Sequence, residues 1–128
     1  MISLDTNVVV RIFVDDPDNP EQSRIVREKV RLYKTVYITQ VVQIETVWVL
    51  SRSYDFSRTE ITLVLENLYT NSAFRLENEI IFIGALELYR NSSIDFADAL
   101  ILQNSKQQQL NLLSFDKKLQ KQQGVIAI

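Results

Sequence analysis

Four short acidic signatures are spread along the chain, and their residue types are those of a hard-cation site. They are Leu-Asp-Thr-Asn at residues 4–7, Glu45 within an apolar run, Asp-Phe-Ala-Asp-Ala-Leu at residues 95–100, and Ser-Phe-Asp at residues 114–116. Carboxylate oxygens are the ligands that Mg²⁺ and similar divalent ions take in proteins. If the signatures converge in the fold, they predict a divalent-cation site.

Each aspartate in these signatures also has a purely structural explanation. Asp5, Asp95 and Asp116 precede predicted helices, where an aspartate can cap free backbone N–H groups and stabilise the helix by about 1 kcal/mol. Asp98, three residues after Asp95, can complete a capping pair or interact favourably with the positive end of the helix dipole. The sequence alone leaves both interpretations open.

Glu45 is harder to explain as a cap. Its neighbours one helical turn away are Val41, Trp48 and Val49, so the spacing predicts that its side chain lies on an apolar face. A carboxylate on such a face is costly, on the order of several kcal/mol, unless it meets a cation or is protonated. Either a buried arginine or a metal ion satisfies this requirement.

The residue types that are absent exclude several classes of chemistry. The chain has no histidine and no cysteine, so catalytic triads, imidazole bases and thiolate or imidazole metal ligands are excluded. Its two glycines, Gly84 and Gly124, cannot form a phosphate-binding loop or a dinucleotide-binding turn. The available chemistry is that of carboxylates, hydroxyls, basic side chains and any metal ion that they bind.

The net charge of −2 argues against nucleic-acid binding through a global positive field, but it does not exclude binding through a local basic surface. Helical spacing places several basic residues on one face of a predicted helix, where they either contact phosphates or form a solvated surface. A second basic pair follows the last acidic signature. The candidates are Arg24, Arg27, Arg31, Lys34, Arg52, Lys117 and Lys118.

Strands and helices alternate along the predicted structure. Apolar strands interleaved with helices indicate a parallel sheet covered on both faces. Asn19 and Pro20 begin one helix as N-cap and first helical residue, and the spacing of Ser57 and Glu60 predicts a capping box. Predicted strands are residues 2–5, 36–39, 74–76, 111–115 and 125–128, and predicted helices are residues 7–13, 20–33, 40–54, 57–69, 79–90 and 95–107.

Length and composition predict one domain over residues 1–128. With 46% hydrophobic residues, the chain can build a core of the size usual for a single domain. No apolar stretch reaches the roughly 18 residues needed to span a bilayer, and the chain does not begin with a signal-peptide pattern. We therefore expect a soluble, cytoplasmic protein without a membrane partner.

Taken together and in this order, the four signatures resemble those of the PIN-domain ribonucleases, and specifically the VapC-like toxins of type II toxin–antitoxin pairs. The resemblance covers essentially the whole chain. It implies a three-layer α/β/α sandwich with a short, mostly parallel central sheet, and a homodimer that binds a cognate antitoxin. It also implies an endoribonuclease that depends on Mg²⁺ or Mn²⁺.

The resemblance carries roles over to particular residues. Asp5, Glu45, Asp98 and Asp116 match the catalytic, metal-binding acidic quartet of the family. Thr6, Asn7, Asp95 and Ser114 match supporting positions, with the Thr6 and Ser114 hydroxyls holding or orienting the carboxylates and Asp95 an alternative to Asp98 as the closer ligand.

Two other functions are compatible with the same residues. The first is a non-catalytic PIN-like module that binds RNA or protein, for which the intact quartet is adverse evidence. The second is a carboxylate-based phosphohydrolase with Asp5 as nucleophile, but the haloacid-dehalogenase pattern requires an aspartate where this chain has Asn7. A covalent phosphoaspartate would support this second alternative.

Overall fold

Seven helices and five short strands alternate along the computed structural model, which describes residues 1–128. They are grouped into two units, Met1–Glu77 and Asn78–Ile128, called here the N-terminal and the C-terminal unit. All strand pairs are parallel. The predicted α/β class is confirmed, and the strands form two sheets, with three strands in the N-terminal unit and two in the C-terminal unit.

The N-terminal unit is built around a parallel sheet with the strand order β1-β2-β3. Its elements are β1 (Ile2–Ser3), α1 (Thr6–Phe13), α2 (Pro20–Arg31), β2 (Val36–Ile38), α3 (Gln40–Ser53), α4 (Arg58–Thr70) and β3 (Phe74–Leu76). In register, Val36 lies opposite both Ile2 and Phe74. The carboxyl ends of the three strands therefore lie at one edge of the sheet, from which Asp5 and Glu77 follow.

Local sequence signals explain where these helices begin. Pro20 occupies the first turn of α2 after the N-cap Asn19, although the Asn19 side chain makes no capping bond. The Thr39 hydroxyl accepts from the backbone N–H of Val42 at the start of α3. At α4, Ser57 and Glu60 form the complete predicted capping box, which satisfies two backbone donors reciprocally.

The core of the N-terminal unit is formed by the buried apolar faces of its helices and strands. The helix α1 packs against both α2 and α3, and Val9 and Val10 on α1 are fully buried. On the neighbouring elements Ile38, Leu50 and Leu65 are also fully buried. Burying each such side chain contributes about 1.5–3 kcal/mol relative to leaving it in water.

Arg11, near the end of α1, joins three segments of the N-terminal unit. Its guanidinium donates to Asp16 at 3.0 Å, to the Gln22 side chain at 2.7 Å, and to the Tyr54 hydroxyl. It also lies over the Tyr54 ring, 5.7 Å from the centroid. These contacts fix the end of α1 relative to the start of α2 and the end of α3.

The C-terminal unit contains two packed helices and a two-stranded parallel sheet. Its elements are α5 (Glu79–Asn91), α6 (Phe96–Gln107), β4 (Leu112–Ser114), α7 (Lys117–Gln120) and β5 (Val125–Ala127). The α5–α6 contact is close at Gly84, where a Cβ atom would lie 2.5 Å from the Gln103 side chain. Phe96 is fully buried, with its ring centroid 5.8 Å from those of Phe82 and Tyr89.

None of the helices is both long and apolar enough to cross a membrane.

Candidate functional site

Asp5 follows β1 at the carboxyl edge of the three-stranded sheet. The Leu4 N–H still pairs with the Tyr37 carbonyl at 3.0 Å, so Asp5 is the first residue beyond the paired strand and the N-cap of α1. Its Oδ1 accepts from the Thr6 N–H at 2.7 Å, and the residue is exposed. One carboxylate oxygen is thus used locally while the side chain faces solvent at an edge where α/β proteins bind ligands.

Two residues that sequence reasoning missed organise the same edge. Glu77, directly after β3, accepts from the Gln40 N–H at 2.7 Å and so caps α3. The fully buried Gln43 donates from Nε2 to the carbonyls of Ile38 and Glu77, each at 3.2 Å. These bonds join α3 to the ends of β2 and β3. The sequence signal for this role was Gln43 itself, a polar residue between the apolar residues at the start of α3.

Glu45 lies on a different face of α3 from the one predicted. The buried face carries Gln43, Thr46, Val47 and Leu50, whereas Glu45 is exposed. The prediction of a carboxylate on a buried apolar face is therefore wrong, because its neighbours Val41 and Trp48 are themselves 63% and 42% exposed. Glu45 needs no buried partner and is accessible from solvent.

Three buried polar atoms in the N-terminal unit have no hydrogen-bond partner. They are Thr6 Oγ1, Gln43 Oε1 and Thr46 Oγ1. The Thr6 residue contacts Asp5 through its backbone N–H, rather than through the hydroxyl that the resemblance singles out. Buried polar atoms without partners are uncommon and often mark a bound water or ion. Asn7, the next residue, is exposed.

In the C-terminal unit, Asp116 caps a helix as predicted, whereas Asp95 does not. Asp116 is the N-cap of α7, and its Oδ1 accepts from the Leu119 N–H at 2.9 Å. Asp95 occupies the N-cap position of α6, but its side chain makes no capping bond. The Asp95 carboxylate is exposed and is not needed to begin the helix, which leaves it available for another role.

Asp98 lies in the first turn of α6 and is partly buried. Its pKa is raised, first because partial burial disfavours the charged form, and then because Asp116 and Asp95 repel that charge. The structure therefore brings Asp95, Asp98 and Asp116 near enough to interact electrostatically. A divalent cation is the kind of group that relieves such repulsion.

Two side chains support the position of Asp116 and the segment that follows it. The Ser114 hydroxyl accepts from the Asp116 N–H at 3.0 Å, which orients the backbone at this aspartate. Lys118 Nζ donates to the Ser93 carbonyl at 3.3 Å, so that this lysine joins α7 to the segment before α6. Lys117 is exposed.

The predicted basic face on α2 is largely occupied by acidic partners. Arg24 is held by Glu21 at 2.6 Å and Glu28 at 2.8 Å. Arg27 pairs with Asp15 at 3.1 Å and donates to the Ile12 carbonyl. Because these guanidiniums already have partners, exposed Arg31 is the member of the predicted set on α2 with the freest charge.

The donor chemistry of the acidic residues fits a hard cation. Asp5 and Glu45 belong to the N-terminal unit, and Asp95, Asp98 and Asp116 belong to the C-terminal unit. Within neither unit do three or more carboxylates come together as a metal-binding group. The fit lies in the all-oxygen donor set and in the mutual repulsion around Asp98, which a divalent ion would offset.

The raised pKa of Asp98 gives a prediction about stability. Since the folded state binds this proton more tightly than the unfolded chain, stability is lost as pH rises through the raised pKa. Asp98→Asn should therefore raise the Tm at pH 7 in EDTA. Asparagine also loses a favourable helix-dipole interaction of about 0.3–1 kcal/mol, so the expected net rise is small, on the order of 2 °C.

Thermal unfolding of both proteins between roughly pH 4 and pH 7 measures this effect, because the Asp98 carboxyl is increasingly neutral towards the acidic end. The difference in Tm should shrink as pH falls. Asp18→Asn, at an exposed aspartate in a turn, is the matched control and should show no such trend. A lower Tm for Asp98→Asn at pH 7 would contradict the assigned repulsion.

A family model described as PIN domain matches residues 2–125, which is nearly the whole chain. No curated protein gives a significant match. The matched range contains all four acidic signatures and residues of both units.

Proposed function

The chain belongs to the PIN-domain family, whose members are generally nucleases, and from this premise we propose that it is a divalent-metal-dependent endoribonuclease. The observation that carries the proposal is that one family match spans residues 2–125 and includes every acidic signature. We further propose that residues 1–128 act as one PIN-like domain and that the substrate is cellular RNA, in the cytoplasm.

Four carboxylates are proposed to form the catalytic, metal-binding set: Asp5, Glu45, Asp98 and Asp116. Of these, Asp98 has the strongest physical support, because its charge is disfavoured by burial and by its acidic neighbours. Asp95 remains an alternative ligand, since its side chain makes no capping bond. When bound, Mg²⁺ or Mn²⁺ supplies positive charge that offsets charge developing on the phosphate and makes water more acidic.

The remaining contributions come from side chains that hold these carboxylates or meet the substrate. Ser114 orients the backbone at Asp116 through its hydroxyl, and Gln43 fixes the first turns of the helix that carries Glu45. Lys117 and Lys118 follow Asp116 directly and are proposed to contact RNA phosphates, as are Arg31 and, more weakly, the paired Arg24 and Arg27. Such contacts position RNA without reading its sequence.

Cleavage of total cellular RNA tests the proposed activity. The purified protein should produce discrete fragments with Mg²⁺ or Mn²⁺, and none with EDTA, because RNA hydrolysis here depends on the cation held by the carboxylates. Gel electrophoresis of the products is the measurement. The same fragments produced by the purified protein in EDTA would contradict the proposed metal dependence.

A non-catalytic PIN-like binding module is the second candidate, and one observation favours it. The Asp5 and Asp116 carboxylates each accept a backbone N–H at the start of a helix, a structural use that a domain binding RNA or protein without cutting it would also need. Such a module would leave RNA intact in every lane while still binding it. Parallel binding and cleavage measurements on one preparation separate the two candidates.

The toxin role and its partners form the finer part of the proposal. By the resemblance of its motifs, we propose that the protein is the toxin of a toxin–antitoxin pair, forms a homodimer and binds a cognate antitoxin. Growth arrest on expression, relieved by coexpression of a neighbouring gene product, tests the toxin role. Sedimentation equilibrium of the purified chain tests the homodimer.

A further inference from the structure

One face of the helix α3 is exposed and lies outside the packed core. Four side chains recur along it at intervals of four, three and four residues, namely Val41, Glu45, Trp48 and Arg52. All four are exposed, with Val41 at 63% and Trp48 at 42%. We call this set the α3 stripe. It places an aromatic ring one helical turn from a proposed catalytic carboxylate.

Within the stripe, the indole of Trp48 already has a cation on one side. The Arg52 guanidinium carbon lies over the ring, 5.4 Å from its centroid, which is within the range of a cation–π interaction. Even with this contact, 42% of the tryptophan is exposed. A planar ligand can therefore stack on the accessible part of the ring while Arg52 remains in place.

The stripe is held on a well-anchored helix. The opposite face of α3 buries Leu50, Gln43 and Thr46 completely. Gln43 is bonded to two strand-end carbonyls, and the helix begins at the Thr39 and Glu77 capping contacts. A ligand that stacks on Trp48 thus meets a ring whose helix position is already fixed, which lowers the entropic cost of binding.

We propose that the α3 stripe is a nucleobase-stacking site for single-stranded RNA. One base stacks on Trp48, the adjoining phosphate meets the charge of Arg52, and Glu45 lies one turn further along the same face. Aromatic rings beside arginines are the usual means by which proteins bind single strands without sequence preference. The choice of RNA rests on the proposed nuclease function.

A second copy of this chain is the rival occupant, and the size of the stripe disfavours it. A stable protein interface buries about 800 Å² on each partner, from roughly 20–30 residues. The stripe offers four side chains, two of them charged, and is too narrow to form such an interface alone. A single stacked nucleotide needs one exposed ring and one nearby cation, which Trp48 and Arg52 supply.

Trp48 is the only tryptophan of the chain, so its fluorescence reports directly on the proposed stack. The Asp5→Asn protein, in EDTA to prevent cleavage, is titrated with an oligouridylate of about eight nucleotides. Saturable quenching of the tryptophan emission is the expected result. Binding measured in parallel by anisotropy of end-labelled RNA should give the same affinity.

Substitutions then test whether the Trp48 ring contributes to the affinity for RNA. In the anisotropy assay, Trp48→Ala should weaken RNA binding by about 5- to 150-fold, the range measured for loss of one base stack, and Trp48→Phe should restore most of it. Tyr69→Ala is the matched control, because Tyr69 is an aromatic residue on α4 with 43% exposure. It should leave the affinity unchanged.

Three results would overturn the stacking site: RNA binding without any change in tryptophan emission, equal affinity of Trp48→Ala and Tyr69→Ala, or loss of a dimer in Trp48→Ala with unchanged RNA affinity. The last would assign the stripe to a second copy. Cleavage by the unsubstituted protein is scored separately with Mg²⁺. Absent cleavage with intact quenching would remove the nuclease function and leave the stacking site standing.

Discussion

Asp5→Asn is expected to lower metal-dependent RNA cleavage by more than about 100-fold. Losing a residue that only orients a metal ligand already costs up to about 100-fold, and Asp5 is proposed to bind the metal directly. The fold should survive, since an asparagine oxygen can still accept the 2.7 Å bond from the Thr6 N–H. What is lost is one negative charge at the carboxyl edge of β1. Cleavage rates at saturating Mn²⁺, with Tm values for both proteins, measure the two effects separately.

The control for this substitution removes an equal charge elsewhere. Asp18→Asn, in the turn before α2, should cleave RNA at the rate of the unsubstituted protein. If Asp5→Asn is equally active, Asp5 has no catalytic role and the family assignment of this position is wrong for this chain. A large fall in Tm would instead show that its charge matters for α1.

Phe96→Ala is expected to have the largest effect on stability, a loss of about 3–5 kcal/mol in the free energy of unfolding. Phe96 is fully buried and makes edge-on contacts with Phe82 and Tyr89 at 5.8 Å, so alanine leaves a cavity in the core of the C-terminal unit. Because Phe96 is the first residue of α6, the same change loosens the turn that carries Asp98. Urea unfolding gives the free energy.

Phe115→Ala provides a matched deletion of the same side chain, since Phe115 is 77% exposed. It should change the free energy of unfolding by no more than about 0.5 kcal/mol. Phe96→Leu should lie between the two, as it keeps most of the buried volume. Equal costs for Phe96→Ala and Phe115→Ala would contradict the packing described for α6.

Most of the secondary structure could be predicted from the sequence because its boundaries are set by local chemistry. Pro20 fixes the start of α2, and Ser57 with Glu60 fixes the start of α4. The strand at Phe74–Leu76 has the predicted bounds. The division of the strands into two sheets could not be predicted, since it depends on packing between segments distant in sequence.

The face of α3 that is buried was predicted incorrectly, and its composition explains why. Apolar residues surround most of this helix, so hydrophobic spacing does not distinguish its faces. The buried face contains the polar residues Gln43 and Thr46, and Gln43 is there because its amide meets carbonyls at two strand ends. Those carbonyls are brought together only by the fold.

The sequence predicts which acidic residues precede helices, but not which of them cap a helix or repel one another. Asp95 and Asp116 both stand before a helix, yet only Asp116 makes the capping bond. The raised pKa of Asp98 depends first on burial and then on Asp116, which lies 18 positions later in the sequence. Neither effect can be read from spacing along one helix.

The Arg11 contacts have a consequence for how this protein can vary during evolution. One guanidinium serves Asp16, Gln22 and the Tyr54 hydroxyl at once, and a lysine cannot reproduce this planar set of donors. Once Arg11 is replaced, selection to keep its three partner residues is therefore relaxed at the same time. Substitutions at Asp16 and Tyr54 should accumulate mainly in descendants that have already lost the arginine, so these sites diverge as a group.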